Sequence, residues 1–167
     1  MRELSPIEWA VRPLKKYADF NGRAPRAEYW WFYLGSVVVQ IPLSIIDKAF
    51  GEWSPLSNLF GLAILLPTIA VSIRRLHDVD RTGWWLAAFF LPFLVAGIWA
   101  ALAIVPYLPG TPPDPGGSML IGMIVAIIAM LILAIIMLVF LVTPGTQGAN
   151  RFGDDPYGPS NLEEVFA

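Results

Sequence analysis

The chain contains no cysteine and a single histidine. Disulfides, thiolate nucleophiles and cysteine–histidine metal centres are thereby excluded, and no metal or other cofactor is expected. Charge is scarce too. Only 14% of the 167 residues are Asp, Glu, Lys or Arg, against roughly 25% in a soluble domain, so the polar surface is too small to cover a globule in water. The charges present are clumped. They leave four uncharged stretches, Tyr29–Ile46, Trp53–Ile73, Thr82–Pro113 and Pro115–Asn150. A helix needs about 20 apolar residues to cross a bilayer core of about 30 Å, and each stretch supplies about that many. Helices buried in a soluble bundle would carry polar outer faces, whereas "MLIGMIVAIIAMLILAIIMLVFLV" (119–142) is apolar all round. The expectation is an all-α polytopic membrane protein, a four-transmembrane-helix bundle forming a single integral domain over 1–167. Its spans are expected at about 29–46, 55–73, 84–105 and 119–142, flanked by an amphipathic segment, 1–28, and a tail, 143–167.

Residues 1–28 lack an apolar core and a small-residue cleavage site, so they do not read as a cleaved signal. The first span is expected to stay as an anchor. "LSPIE" (4–8) reads as a helix start, with Ser5 as cap, Pro6 at the first helical position and Glu8 closing a capping box. Ile7, Val11, Leu14 and Ala18 then recur at helical spacing, with Arg12, Lys15 and Lys16 elsewhere. This short basic amphipathic helix, expected to bend or break at Pro13, suits a membrane surface or the cytoplasmic end of the bundle. Ser54 is expected to cap the second span, and "PYLPGTPPDPGG" (106–117) cannot be helical.

Orientation follows from the basic residues. With an even number of spans both termini share a side, and that side holds ten of the eleven Lys and Arg, Lys48 being the exception. The positive-inside rule then puts both termini and the 74–81 loop in the cytoplasm.

"SIRRLHDVDRTGWW" (72–85) packs three arginines, two aspartates and the histidine between apolar runs. If the second helix continues, Arg74, His77, Asp78 and Arg81 share one face. One reading is a charged turn in which Asp78 and Asp80 neutralise neighbouring arginines. Another is an anion site at headgroup level, built from arginines with bidentate geometry beside Trp84 and Trp85. His77 next to Asp78 permits general-base chemistry, but no nucleophile or triad spacing accompanies it, and one histidine with two aspartates is a poor metal set. No catalytic or metal-ligating residue is assigned.

"FNGRAPRAEYWWF" (20–32), "RRLHDVDRTGWW" (74–85) and "GTQGANRFGDDPYG" (145–158), in this order around four spans, resemble the bacterial inner-membrane family catalogued as domain of unknown function 805. The resemblance covers nearly the whole chain and departs from the family in a longer loop at 106–117. It implies a small, multi-pass protein of the bacterial cytoplasmic (inner) membrane, and it brings no known activity.

By the orientation above, all three motifs lie on the cytoplasmic face. They are expected to form one hydrogen-bonded cluster, because the N-terminal and 74–81 segments are net positive and the tail net negative. Asp154 or Asp155 should reach Arg23, Arg26, Arg74 or Arg75, and Asp78 should pair with an arginine of its own or the N-terminal motif. Candidate anion- or partner-binding residues are Arg23, Arg26, Arg74, Arg75, His77, Asp78, Arg81, Asn150 and Arg151. The expected partners are the lipid bilayer, an anionic lipid headgroup or another membrane protein, and no nucleic acid. The function read from these features is binding at the cytoplasmic face; the alternative is a membrane enzyme acting on a lipid-linked phosphate. Transport is disfavoured, because the third and fourth spans hold no ionisable side chain and the most polar group inside the first two is Gln40.

Overall fold

A computed structural model describes residues 4–49, 55–104 and 118–157 of the chain, and among these residues the regular structure is helical, with one isolated bridge between Asn150 and Gly153. Five helices follow in order: α1 (Pro6–Lys15), α2 (Arg26–Ala49), α3 (Pro55–Asp78), α4 (Trp84–Ile104) and α5 (Ser118–Val142). Three are long and apolar enough to cross a membrane, over Arg26–Lys48, Pro55–Asp78 and Ile121–Val142, and Trp84–Ile98 of α4 forms a shorter apolar helix. Ser54 and the 106–117 loop lie outside the described residues.

α2 and α3 both outrun their expected spans at the polar end. Hydropathy falls at Tyr29 and Ile73, yet α2 begins at Arg26 and α3 continues to Asp78. Each has 24 residues, about 36 Å at 1.5 Å per residue, which exceeds a hydrocarbon core by about one turn. The extra turn is charged and buried: Glu28, Arg74, Arg75 and Asp78 are all sequestered by neighbouring chain.

The chain divides into two compact units. One holds α1, α2, α3 and the tail from Thr143; the other holds α4 and α5. In the second, α4 and α5 pack through an edge-to-face contact of Trp85 on Phe140 and flank an apolar groove of about 590 Å³ lined by Pro92, Gly122 and Ala126, among others.

In the first unit, α1 carries the expected capping box: Ser5 Oγ accepts from the Glu8 N–H and the Glu8 carboxylate accepts from the Ser5 N–H. The Ser5 N–H, and then the Ser5 hydroxyl, hold the Glu8 carboxyl below its ordinary pKa. The expected break at Pro13 does not occur, and the helix runs on to Lys15. Proline removes the bond from its own nitrogen and crowds the carbonyl four residues back, and with Pro13 two residues from the helix end the last turn still forms. α1 packs on α2 with Pro13 buried and Ala10 facing Gly35, where an added Cβ would lie 3.5 Å from that of Ala10. Ile7, Val11 and Leu14 stay exposed on the outer side of α1.

Pro67 in α3 has a clearer consequence. It has no N–H, so the carbonyl of Ala63 four residues earlier loses its helical donor. The hydroxyl of Tyr17, just after α1, donates to that carbonyl. At the other end of the hairpin, buried Asp47 near the end of α2 accepts from the N–H groups of Leu56 and Ser57, so α3 is capped by a side chain of the preceding helix.

Candidate functional site

α3 ends in a turn that sets up everything around it. The Arg81 N–H donates to the Leu76 carbonyl (2.8 Å) and the Asp80 N–H to the His77 carbonyl (3.1 Å), with Asp80 at φ +56°. This is a Schellman stop, with aspartate in the left-handed position usually given to glycine. It corrects the expectation that Arg81 shares a helical face with Arg74, His77 and Asp78. The helix has ended by then, and Arg81 lies exposed in the turn.

Asp78, in the last helical turn, is the hub. Its Oδ1 accepts from Arg23 Nε (3.0 Å) and lies 3.0 Å from Arg23 Nη2, while Oδ2 accepts from Arg75 Nη1 at 2.5 Å. All three residues are buried. The tail completes the shell with backbone. Arg23 Nη1 donates to the Gly148 carbonyl and Nη2 to that of Thr146, and Arg75 Nη2 donates to that of Thr143. In return, the Thr146 N–H and hydroxyl both donate to the Asp78 carbonyl. Gly145 allows this approach, since a Cβ there would overlap the Asp78 carboxylate. What the tail brings to Arg23 and Arg75 is thus a row of carbonyl oxygens. Asp155 accepts from the N–H groups of Gly148 and Tyr157, holding the tail in its fold, and Asp154 is exposed.

A second buried pair lies beside the first. Arg74 Nη1 is 2.9 Å from Glu28 Oε1, with both side chains essentially inaccessible, and Arg12 of α1 approaches the other Glu28 oxygen at 3.9 Å. The Arg74 N–H directions miss the carboxylate: Nε, Nη1 and Nη2 and Glu28 Oε1 hold no directional hydrogen bond among the described residues. The attraction is therefore Coulombic, and strong at that depth. The Ala24 N–H donates to the Arg74 carbonyl (2.9 Å), so the N-terminal motif also covers the end of α3.

His77 lies on the outer side of the cluster. Its Nδ1 is 3.1 Å from the Gly22 carbonyl, and its ring stacks on Phe152 at a centroid distance of 3.9 Å. Asn150 Nδ2 donates to the His77 carbonyl and to the Thr146 hydroxyl, while Asn150 Oδ1 accepts from the Phe152 N–H. Arg151 pairs with Asp80 (3.0 Å) in the open and lies over the Phe152 ring. Arg26, the first residue of α2, is exposed. Arg23, Arg74, Arg75, His77, Asp78, Asn150 and Arg151 thus meet around the end of α3, where Arg81 contributes its N–H.

Residues 17–154 match the family model described as "Protein of unknown function (DUF805)". The chain belongs to this family. Curated relatives agree. It is 36% identical to the Escherichia coli (strain K12) inner membrane protein YhaI over 156 residues, 93% of this chain and all of that one. It is also 36% identical to inner membrane protein YhaH of the same organism over 121 residues, 65% of this chain and 97% of that one. A third relative, the uncharacterized protein YiiR, is 31% identical over 140 residues, 82% of this chain and 85% of that one. No solved structure matches. The apolar helices and these inner-membrane relatives together make this an inner-membrane protein.

The matched stretch of this DUF805 member contains the whole Asp78 hub and starts after α1. Three of the cluster's contributors were not among the candidates read from sequence. Glu28 was legible as an acid beside Arg26 in a short motif. Phe152 left only the weak signal of a lone aromatic in a Gly/Asn/Asp turn. Thr146 left none, since it acts largely through its backbone.

Proposed function

We propose that this DUF805 member is a non-enzymatic, multi-pass membrane protein with four spans and both termini in the cytoplasm, whose buried arginine–carboxylate cluster braces a platform that binds anionic lipid headgroups. The observation that carries the reading is the use of Asp78. It is held by Arg23 and Arg75, and those guanidinium groups also donate to three tail carbonyls. Groups so fully engaged inside the protein serve bracing better than capture of a mobile anion. His77, tied to Gly22 and Phe152, is likewise placed as structure rather than as a general base.

Headgroup binding then falls to the rim. α1 supports this. Its inner side packs on α2, its Ile7, Val11 and Leu14 side chains are exposed, and Lys15 is exposed beside them. An apolar stripe flanked by basic side chains is the pattern of a helix lying in the headgroup layer, and each such cation adds about 1 kcal/mol of attraction to an anionic leaflet. The test is native mass spectrometry of the full chain from nanodiscs containing equal phosphatidylglycerol and phosphatidylcholine. Retained phosphatidylglycerol, reduced severalfold in a Lys15→Gln, Lys16→Gln variant, is expected. Equal retention of both lipids would overturn the headgroup reading, and a tightly held lipid-linked phosphate turned over by the protein would favour the enzyme.

A further inference from the structure

The α2–α3 pair carries a polar line through the hydrocarbon. On α2, Ser36, Gln40, Ser44 and Asp47 recur at helical spacing. Most of the line is satisfied within the pair. Ser36 donates to the Phe32 carbonyl, Ser44 to the Gln40 carbonyl with its oxygen 3.3 Å from Ser57 Oγ, and Asp47 accepts from α3. Opposite, Thr68 donates to the Ile64 carbonyl and Ser72 to that of Thr68.

Gln40 differs. Its carboxamide makes no hydrogen bond among the described residues, and it is half-buried, lining a cavity of about 210 Å³ with Tyr33, Val37, Ile64 and Thr68. It lies fourteen residues from Arg26 and nine from Ala49, about 21 Å and 13 Å from the two helix ends at 1.5 Å per residue. That is too deep for so short a side chain to reach headgroups. Lipid tails offer it nothing, and an unsatisfied polar group in hydrocarbon is costly. The chain's own apolar helices offer little more. Between Trp84 and Ile104 and between Met119 and Val142 the sequence holds no oxygen- or nitrogen-bearing side chain other than tryptophan, and an indole donates but cannot accept. Among the described residues the two N–H donors of Gln40 meet no acceptor at hydrogen-bond geometry.

We infer that Gln40 marks a homodimer interface: two copies pack their α2–α3 grooves about a twofold axis normal to the membrane, and the Gln40 carboxamide exchanges N–H···O bonds with the partner's Gln40. A carboxamide is self-complementary along one edge, where its carbonyl oxygen lies beside the syn N–H, and the twofold places both copies' amides at equal depth. Isologous contact of this kind is the commonest way a chain meets itself, and glutamine is among the side chains that join helices in membranes. The exposed neighbours Tyr33, Val37 and Ile41 supply the surrounding apolar contact. This reading stands apart from headgroup binding at the cytoplasmic rim, and either can fail without the other.

Because the chain has no cysteine, single substitutions report the interface in native membranes. Val37→Cys, one turn from Gln40, is expected to give an oxidant-induced disulfide dimer. Leu62→Cys, exposed on the side of α3 away from the groove, is expected not to. In lipid nanodiscs or dilute detergent the wild-type chain should sediment as a dimer, with a dissociation constant raised about tenfold by Gln40→Leu. Gln40→Asn, which keeps the carboxamide, should fall between the two. Unchanged helical circular dichroism and an unchanged thermal midpoint would show that Gln40→Leu still folds. A monomeric wild-type chain, a dimer indifferent to Gln40→Leu, or equal cross-linking through positions 37 and 62 would each overturn the interface, as would a bound small molecule found on the amide.

Discussion

At the scale of single residues, the cluster separates charges that matter from charges that do not. Asp78 is buried between two guanidinium groups, whereas Asp80, two residues on, pairs with Arg151 with both side chains about half exposed. Removing one partner of a buried pair leaves an uncompensated charge and costs about 3–5 kcal/mol. An exposed pair contributes about 0–1 kcal/mol. Asp78→Ala is therefore expected to lower the thermal midpoint in detergent severely, read by tryptophan fluorescence, while Asp80→Asn, which suits the left-handed position equally well, should leave it nearly unchanged. Similar losses for both would show that the Asp78 hub is not what holds the end of α3. The nature of the tail's contribution follows from the same geometry. Its carboxylates were expected to reach an arginine among Arg23, Arg26, Arg74 and Arg75, and its carbonyls also accept from Arg23 and Arg75. Every residue carries a carbonyl, so a backbone acceptor leaves no mark in the residue types. Charge counting could bring the tail to the cluster but could not say through which atoms.

At the scale of elements, the helices were legible where hydrophobicity alone decides them, and misjudged where polar packing extends them. The four apolar stretches and the Ser5–Glu8 capping box were both readable in residue order, because each is a local pattern. The extra turns of α2 and α3 were not, because Glu28 and Arg74 are helical through a contact between segments distant in the chain. The proline at 67 stands in the sequence and by itself implies a carbonyl without its helical donor, but not the way that freed carbonyl is used. The Tyr17 hydroxyl, from the turn after α1, serves the Ala63 carbonyl and so latches the N-terminal segment onto α3. Tyr17→Phe leaves a carbonyl unsatisfied at a cost of about 1–3 kcal/mol, and faster amide hydrogen exchange over 6–18 is the expected readout. Pro67→Ala restores a helical donor to Ala63. In that background Tyr17→Phe should have a smaller effect on exchange, the difference measuring the coupling. Equal effects in both backgrounds would mean that the latch does not depend on the proline gap.

At the scale of the whole molecule, the charge distribution and the cluster make separate demands on topology that coincide. The cluster joins residues before α2, at the end of α3 and after α5, so those three places must lie on one side of the membrane. That requires an even number of crossings between 23 and 74 and again between 81 and 143. α2 and α3 satisfy the first, being long and apolar enough to cross. The second asks α4 to cross together with α5, although the apolar part of α4 among the described residues, Trp84–Ile98, is shorter than the others. Under the proposed four-span topology, ten of the eleven basic residues fall on the cluster's side and only Lys48 opposite, and the positive-inside rule then assigns that side to the cytoplasm. Since the chain has no cysteine, single-cysteine variants can be labelled in intact cells with a membrane-impermeant maleimide. Ser5→Cys, Arg81→Cys and Gln147→Cys should be protected until the cells are opened, while Gly51→Cys and Thr111→Cys should label from outside. Protection at 111 together with outside labelling at 51 would mean that α4 does not cross. The chain after it would then need another route back to Asp78, because a lone crossing by α5 would leave Thr146 and Gly148 on the wrong side of the membrane from the arginine they hold.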